Sequence, residues 1–227
     1  DGDLLLSIRR QRQMCIRERI RLAGMYGQVP VTVPSHPVVG LFAGARFGVR
    51  IYSGYGAALK EALKGKPVTL IAFGTKNEFD LNQAQIGDSG LQGINMCGQL
   101  PLRQTAALIK QCRLVVGAET GTAHLACAVG TPNVILLGGG HFGRFMPYSS
   151  KTSAVLLPLE CFGCNWKCHF PVAHCVKDVS SKIFADAICF SICLLYTSPS
   201  PRDQRGSRFA CCGCKKKSGG GGGGGGG

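Results

Sequence analysis

Residues 117–132, GAETGTAHLACAVGTP, place a carboxylate, two hydroxyls, a glycine and an imidazole within the six positions Glu119 to His124. The apolar run RLVVGA precedes them, and small residues at helical spacing follow. That pattern reads as a strand passing directly into a helix. The first turn of a helix presents unpaired N–H groups and the positive end of its dipole, which together hold an anion such as phosphate. Gly121 would let the backbone approach that anion, Thr120 and Thr122 could donate hydroxyls, and His124 could add a ring N–H. Glu119 is unsuited to phosphate and better suited to a hydroxyl of a ribose or sugar. The plainer alternative is that Thr120 or Thr122 caps the helix and His124 is a satisfied core residue.

A second constellation is CFGCNWKCHFPVAHC, with Cys161, Cys164, Cys168 and Cys175 at gaps of two, three and six residues. Four thiolates at such spacing suit one tetrahedral ion, a structural zinc, with His169 and His174 as alternative ligands. Disulfide pairing, or a thiol-rich loop packed around Trp166, would use the same residues. A catalytic metal is not expected, because four ligands leave no open position. Redox chemistry at Cys161 and Cys164 is also disfavoured, since this C-x-x-C follows the last predicted strand and does not open a helix. Cys97, Cys112, Cys127 and Cys189 sit in apolar segments and read as reduced core residues.

The elements that must position these groups alternate. PVVGLFAG (37–44), VTLIAFG (68–74), INMCG (94–98), RLVVGA (113–118) and NVILLGGG (133–140) read as strands. YGAALKEALK (55–64), FDLNQAQI (79–86), LRQTAALIKQC (102–112) and GTAHLACAVG (121–130) read as helices. Nearly continuous apolar strands separated by helices predict an α/β fold: a Rossmann-like parallel sheet with helices on both faces. After Tyr148 the pattern dissolves into the Cys-rich loop, followed by a last helix around 179–191. Ligands of such sheets sit beyond the carboxyl ends of the strands. Arg46, Lys76 and Arg144 follow three of those ends, so the order of elements predicts that they converge on one crevice suited to a diphosphate.

The two ends of the chain have a different character. Cys193 to Asp203, CLLYTSPSPRD, resembles the translation of a transposase-type sequencing adapter, and Arg9 to Arg17, RRQRQMCIR, resembles its partner. A glycine run closes the chain and offers no side chains to a core. The expected organisation is therefore an adapter-like, disordered 1–19, one domain over 20–192, and an adapter-like and poly-Gly tail over 193–227. A genuine basic, cysteine-bearing tail that touches nucleic acid or metal is the alternative. Residues 20–192 carry 15 Lys and Arg against 8 Asp and Glu, a net +7, half of the +14 of the whole chain. A mildly basic domain fits an anionic small molecule or a peripheral membrane contact and does not require nucleic acid. No run of 18 apolar residues predicts a membrane-crossing helix.

AETGTAHLACAVGTPNVILLGG resembles the signature of glycosyltransferase family 9, the ADP-heptose:lipopolysaccharide heptosyltransferases, D-[ST]-G-x-x-H-x-A-A-A-x-G-x-P. Thr120, Gly121, His124, Gly130 and Pro132 match, Ala126, Cys127 and Ala128 stand for the three small residues, and Glu119 replaces the aspartate. LFAGAR (41–46) is similar to the family's G-A-R stretch, without the Trp-Pro that commonly follows. NMCGQLPLRQTAALIKQCRLVVG is similar to the segment that precedes the signature. The likeness covers roughly residues 37–150.

The resemblance implies the C-terminal, donor-binding half of a GT-B glycosyltransferase, using no cofactor for catalysis. Thr120, Gly121, Thr122 and His124 would hold the diphosphate of a nucleotide-diphosphate sugar, Glu119 a donor hydroxyl, and Gly98, Gln99 and Leu100 would border the base. Transfer to a glycolipid or oligosaccharide acceptor of the lipopolysaccharide type would be inverting, with the general base in an N-terminal domain, so the chain alone should be inactive. The implied location is the cytoplasm, at the inner face of the bacterial inner membrane. A non-catalytic nucleotide- or anion-binding α/β module with a structural cysteine cluster is the alternative.

Overall fold

The structure is a computed structural model, and it describes residues 36–142 and 149–197. Six strands form one sheet: β1 Val38–Phe42, β2 Thr69–Ala72, β3 Gly93–Asn95, β4 Leu114–Ala118, β5 Asn133–Leu136 and β6 Thr152–Val155. Their order is β3-β2-β1-β4-β5-β6, and every pairing is parallel. Every residue of β1, β2, β4 and β5 is buried, which is why these strands read as uninterrupted apolar runs.

Side chains alternate across the sheet and build two cores. Leu41, Leu70, Leu114, Val116 and Leu136 face one way, onto Leu59 and Leu63 of α1 (Tyr55–Leu63) and Phe184 and Ile188 of α6 (Ser181–Thr197). Ile86 of α2 (Phe79–Ser89) joins the same core. Phe42, Ile71, Val115 and Ile135 face the other way, onto Leu108 and Ile109 of α3 (Leu102–Gln111) and Ala123 and Cys127 of α4 (Gly121–Val129). The period of two within each strand thus delivers the helices to opposite faces.

Three elements differ from the sequence expectation. TSAV forms the edge strand β6 where a loop was expected, because an edge strand buried at one residue carries no apolar run. A single helical turn, α5 (His174–Lys177), lies at the end of the Cys-rich segment. The last helix continues through residue 192 to Thr197, so the expected domain boundary falls inside it. Among the described residues no helix is long and apolar enough to cross a membrane.

The strand order reverses between β1 and β4. Beyond the carboxyl ends of those two strands the connecting chains leave in opposite directions, and a crevice is left between them. Phe42 pairs with Gly117 at this edge, so the loop after β1 and the turn after β4 lie side by side.

Candidate donor site at the sheet reversal

β4 delivers Ala118 and Glu119 to this edge, and α4 begins two residues later. Thr120 is the residue before the helix, in an extended conformation, and its side chain makes no capping hydrogen bond. Neither a side-chain cap nor an acidic residue in the first turn serves the start of α4. A Cβ built on Gly121 meets nothing within 4 Å, so neither backbone angle nor protein packing demands glycine there. The simple capping role for Thr120 is therefore not what the geometry shows, and the first turn is open on its outer side.

Glu119 is 4% exposed, and its carboxylate accepts a hydrogen bond from Arg50 Nη2 at 2.8 Å. The same nitrogen donates to the Glu119 backbone carbonyl. His141 Nδ1 lies 3.8 Å from the carboxylate. Burial pushes the Glu119 carboxyl pKa up, against the opposing pull of the Arg50 charge. Burial lowers the pKa of His124, and Arg50 lowers it further, which favours the neutral form of this imidazole.

Arg50 ends a short 3-10 turn, Gly48–Arg50, in the loop after β1. Its guanidinium lies 5.0 Å from the centre of the Trp166 ring, within cation–π range. Arg50, Ala118, Glu119, Leu136, Gly138 and Trp166 line a small cleft at this point. Sequence reasoning chose Arg46 as the cation of this loop. Arg46 is exposed and leans on Phe47, with its guanidinium 5.5 Å from that ring. Four residues separate the two arginines, and nothing in their local sequence marks which one turns inward.

The other expected residues divide between two neighbouring places. Lys76 is exposed, and Gly98 packs against it: a Cβ on Gly98, whose φ is +73°, would lie 2.8 Å from Lys76 Cα. Gln99 Nε2 donates to the Asn95 carbonyl at 2.7 Å, and Leu100 packs on the α3–α4 core. Gly98, Gln99, Leu100 and Lys76 thus share the β2–β3 end of the same sheet edge. Arg144 lies outside the described residues.

The four cysteines belong to the segment that carries Trp166. Cys175 is buried, Cys161, Cys164 and Cys168 are partly buried, and all four are free thiols. The Cys175 thiol pKa is raised by burial first, and also by the neighbouring Cys161, Cys164 and Cys168. Among the described residues, no three of His, Cys, Asp or Glu are already arranged around one ion position. His174 is engaged by Asp178, Nδ1 to Oδ2 at 2.7 Å.

Residues 16–170 match the family model for glycosyltransferase family 9 (heptosyltransferase). The chain belongs to glycosyltransferase family 9. Lipooligosaccharide heptosyltransferase 2 of Haemophilus ducreyi is 29% identical over 138 residues, 58% of this chain and 40% of its own length. ADP-heptose LPS heptosyltransferase II of E. coli shares the fold with a TM-score of 0.59 at 19% identity, covering 78% of this chain and 51% of that structure. The iron-containing dodecameric heptosyltransferase TibC, solved in complex with ADP-D-beta-D-heptose, shares it with a TM-score of 0.56 at 15% identity, over 73% and 47% of the two chains. This family 9 chain therefore spans about half the length, or less, of the relatives it matches.

Proposed function

We propose that this family 9 chain is the C-terminal, donor-binding half of an inverting, metal-independent heptosyltransferase. The observation that carries the reading is the uncapped start of α4 beside the buried Glu119–Arg50 pair, at the reversal point of a parallel sheet. In this reading the N–H groups of the first turn of α4, with Thr120 and Thr122, receive the diphosphate of a nucleotide-diphosphate sugar. TibC is described in complex with ADP-D-beta-D-heptose, which favours ADP-heptose as the donor here. Neutral His124 can give one ring N–H to the same phosphates.

An acceptor hydroxyl attacks the anomeric carbon through an oxocarbenium-like state, and the bond to the diphosphate breaks. Charge then accumulates on the departing phosphate, where the helix N-terminus stabilises it. In this reading the base that takes the hydroxyl proton is a carboxylate of the N-terminal half of such an enzyme. The acceptor is a lipopolysaccharide-type glycolipid, met at the cytoplasmic face of the bacterial inner membrane. Calorimetric titration of the chain with ADP should give a dissociation constant of roughly micromolar to millimolar, and Gly121→Val should abolish the heat while leaving the fold intact. Absence of heat with the unaltered chain, or full binding by the Gly121→Val chain, removes the donor site from this turn.

We further propose that Cys161, Cys164, Cys168 and Cys175 hold one structural metal ion. The donor set fits zinc or iron, both of which accept four thiolates tetrahedrally, and TibC is described as iron-containing. Cys161, Cys164 and Cys168 lie close enough to Cys175 to raise its thiol pKa, which supports the grouping. Ligation requires the 161–168 turns to close further on Cys175. Such an ion would pin the Cys-rich segment against the sheet. Elemental analysis of purified protein should find near-stoichiometric metal; a folded sample with far less would leave the segment a thiol-rich loop.

A further inference from the structure

Trp166 is the sole tryptophan of the chain, and its placement is unusual in three ways. Asn165 and Trp166 both adopt the left-handed backbone region, at φ 54° and 63°, where side chains are disfavoured. The ring rests on a floor of glycines: a Cβ at Gly138 or Gly140 would lie 2.4 or 2.3 Å from the indole. Hydrogen bonds from Gly163 N to Gly139 O at 2.8 Å and from Asn165 N to Gly140 O at 3.1 Å fasten the segment to that floor. Strained backbone of this kind persists where the surroundings over-determine a position.

The buried indole N–H has no acceptor among the described residues. The aromatic face makes the polar contact instead, with the Arg50 guanidinium. His141 stands edge-on to the ring at 5.7 Å and also approaches Glu119. Trp166, Arg50, Glu119 and His141 therefore close into one set. Arg50 needs such a wall, because Phe47, Gly48 and Val49 of its loop are exposed. Without the ring, a long flexible side chain on that loop has water on the side now occupied by the indole.

We propose that Trp166 is a positioning residue of the donor site: its ring face holds Arg50 in place, and Arg50 holds Glu119 toward the donor. The Cys-rich segment would then be a functional wall of the site as well as a surface appendage. This inference rests on the donor-site reading above.

The test uses the full chain, with ADP as the probe and Trp166 as its own reporter. Trp166→Phe keeps an aromatic face and should bind ADP within about twofold of the unaltered chain. Trp166→Leu keeps apolar bulk without the face and should bind about tenfold more weakly, a cation–π contribution of ordinary size. Equal affinity of the Phe and Leu variants overturns the proposal. A readout on the unliganded chain separates this failure from failure of the donor site. Arg50→Ala and Glu119→Gln should each shift Trp166 emission to the red and increase its quenching by acrylamide. If neither substitution changes the emission, the positioning set is overturned whatever ADP does. If ADP fails to bind the unaltered chain while both substitutions shift the emission, the set stands and the donor assignment falls.

Discussion

Two helical segments leave the same carboxyl edge of the sheet, and each begins beside an acidic residue. After β2, Thr75 and Glu78 form a capping box, with the Glu78 carboxylate accepting from Thr75 N at 2.6 Å and Thr75 Oγ1 at 2.9 Å. Glu78 also fills the space over Gly44, where a Cβ would lie 2.2 Å from its Oε1. After β4, Glu119 pairs with Arg50, 69 residues earlier, and Thr120 makes no side-chain cap. One start satisfies itself locally and has little left for a ligand. The other carries no side-chain cap, which is the division expected between a structural turn and the binding turn proposed above.

The sharpest way to break this comparison is to remove the two carboxylates in turn. Glu119→Ala leaves the Arg50 charge largely buried without its partner and should lower stability by about 3 kcal/mol, read from urea unfolding. Glu78→Ala removes only a cap and should lower it by about 1 kcal/mol. Equal losses would erase the distinction. Gly44→Ala tests the Glu78 side further. The added methyl must displace the Glu78 side chain, so it should cost about as much as the lost cap, roughly 1 kcal/mol. Combined with Glu78→Ala it should then cost almost nothing more, a coupling that a double-mutant cycle on unfolding free energies would expose.

A smaller effect is expected from pH. The His124 pKa in the folded chain lies below the ordinary 6.5, through burial and then Arg50. As pH falls below about 6.5 the unfolded chain takes up a proton that the folded chain refuses. Stability present above that pH should therefore decline on acidification, until the folded-state value is reached. His124→Gln should flatten this part of the stability–pH profile, and an unchanged slope would place the titration elsewhere. Smallest of all is Gly121→Ala. With open space around the added methyl, unfolding should change by about 0.5 kcal/mol or less, while ADP affinity drops. Loss of stability in place of affinity would make α4 the structural start and dissolve the contrast.

Much of this arrangement is legible in the chain itself. Strands β1, β2, β4 and β5 announce themselves because burial on both faces makes nearly every residue apolar, Thr69 and Asn133 at two strand starts excepted, and the helices between them carry their stop signals in glycine and proline. The turn after β4 is likewise local: a strand, two threonines around a glycine, and a helix follow one another in sequence. β6 carries no apolar run because an edge strand needs none, and the last helix extends beyond its expected end to Thr197.

Which arginine of the loop after β1 pairs with Glu119 is not a local property. Arg46 and Arg50 sit in one loop with the same charge, and only the packing of a ring 116 positions after Arg50 draws one inward and leaves the other in water. Hydrophobic periodicity acts over a few residues and is written into the chain at that scale. Pairing of a buried charge depends on which distant surfaces the finished sheet brings together. The main elements and the strand–turn–helix after β4 were therefore settled by sequence alone, whereas the Arg50–Glu119–Trp166 set was decided by tertiary structure, because three separate loops must converge before desolvation makes that pairing favourable.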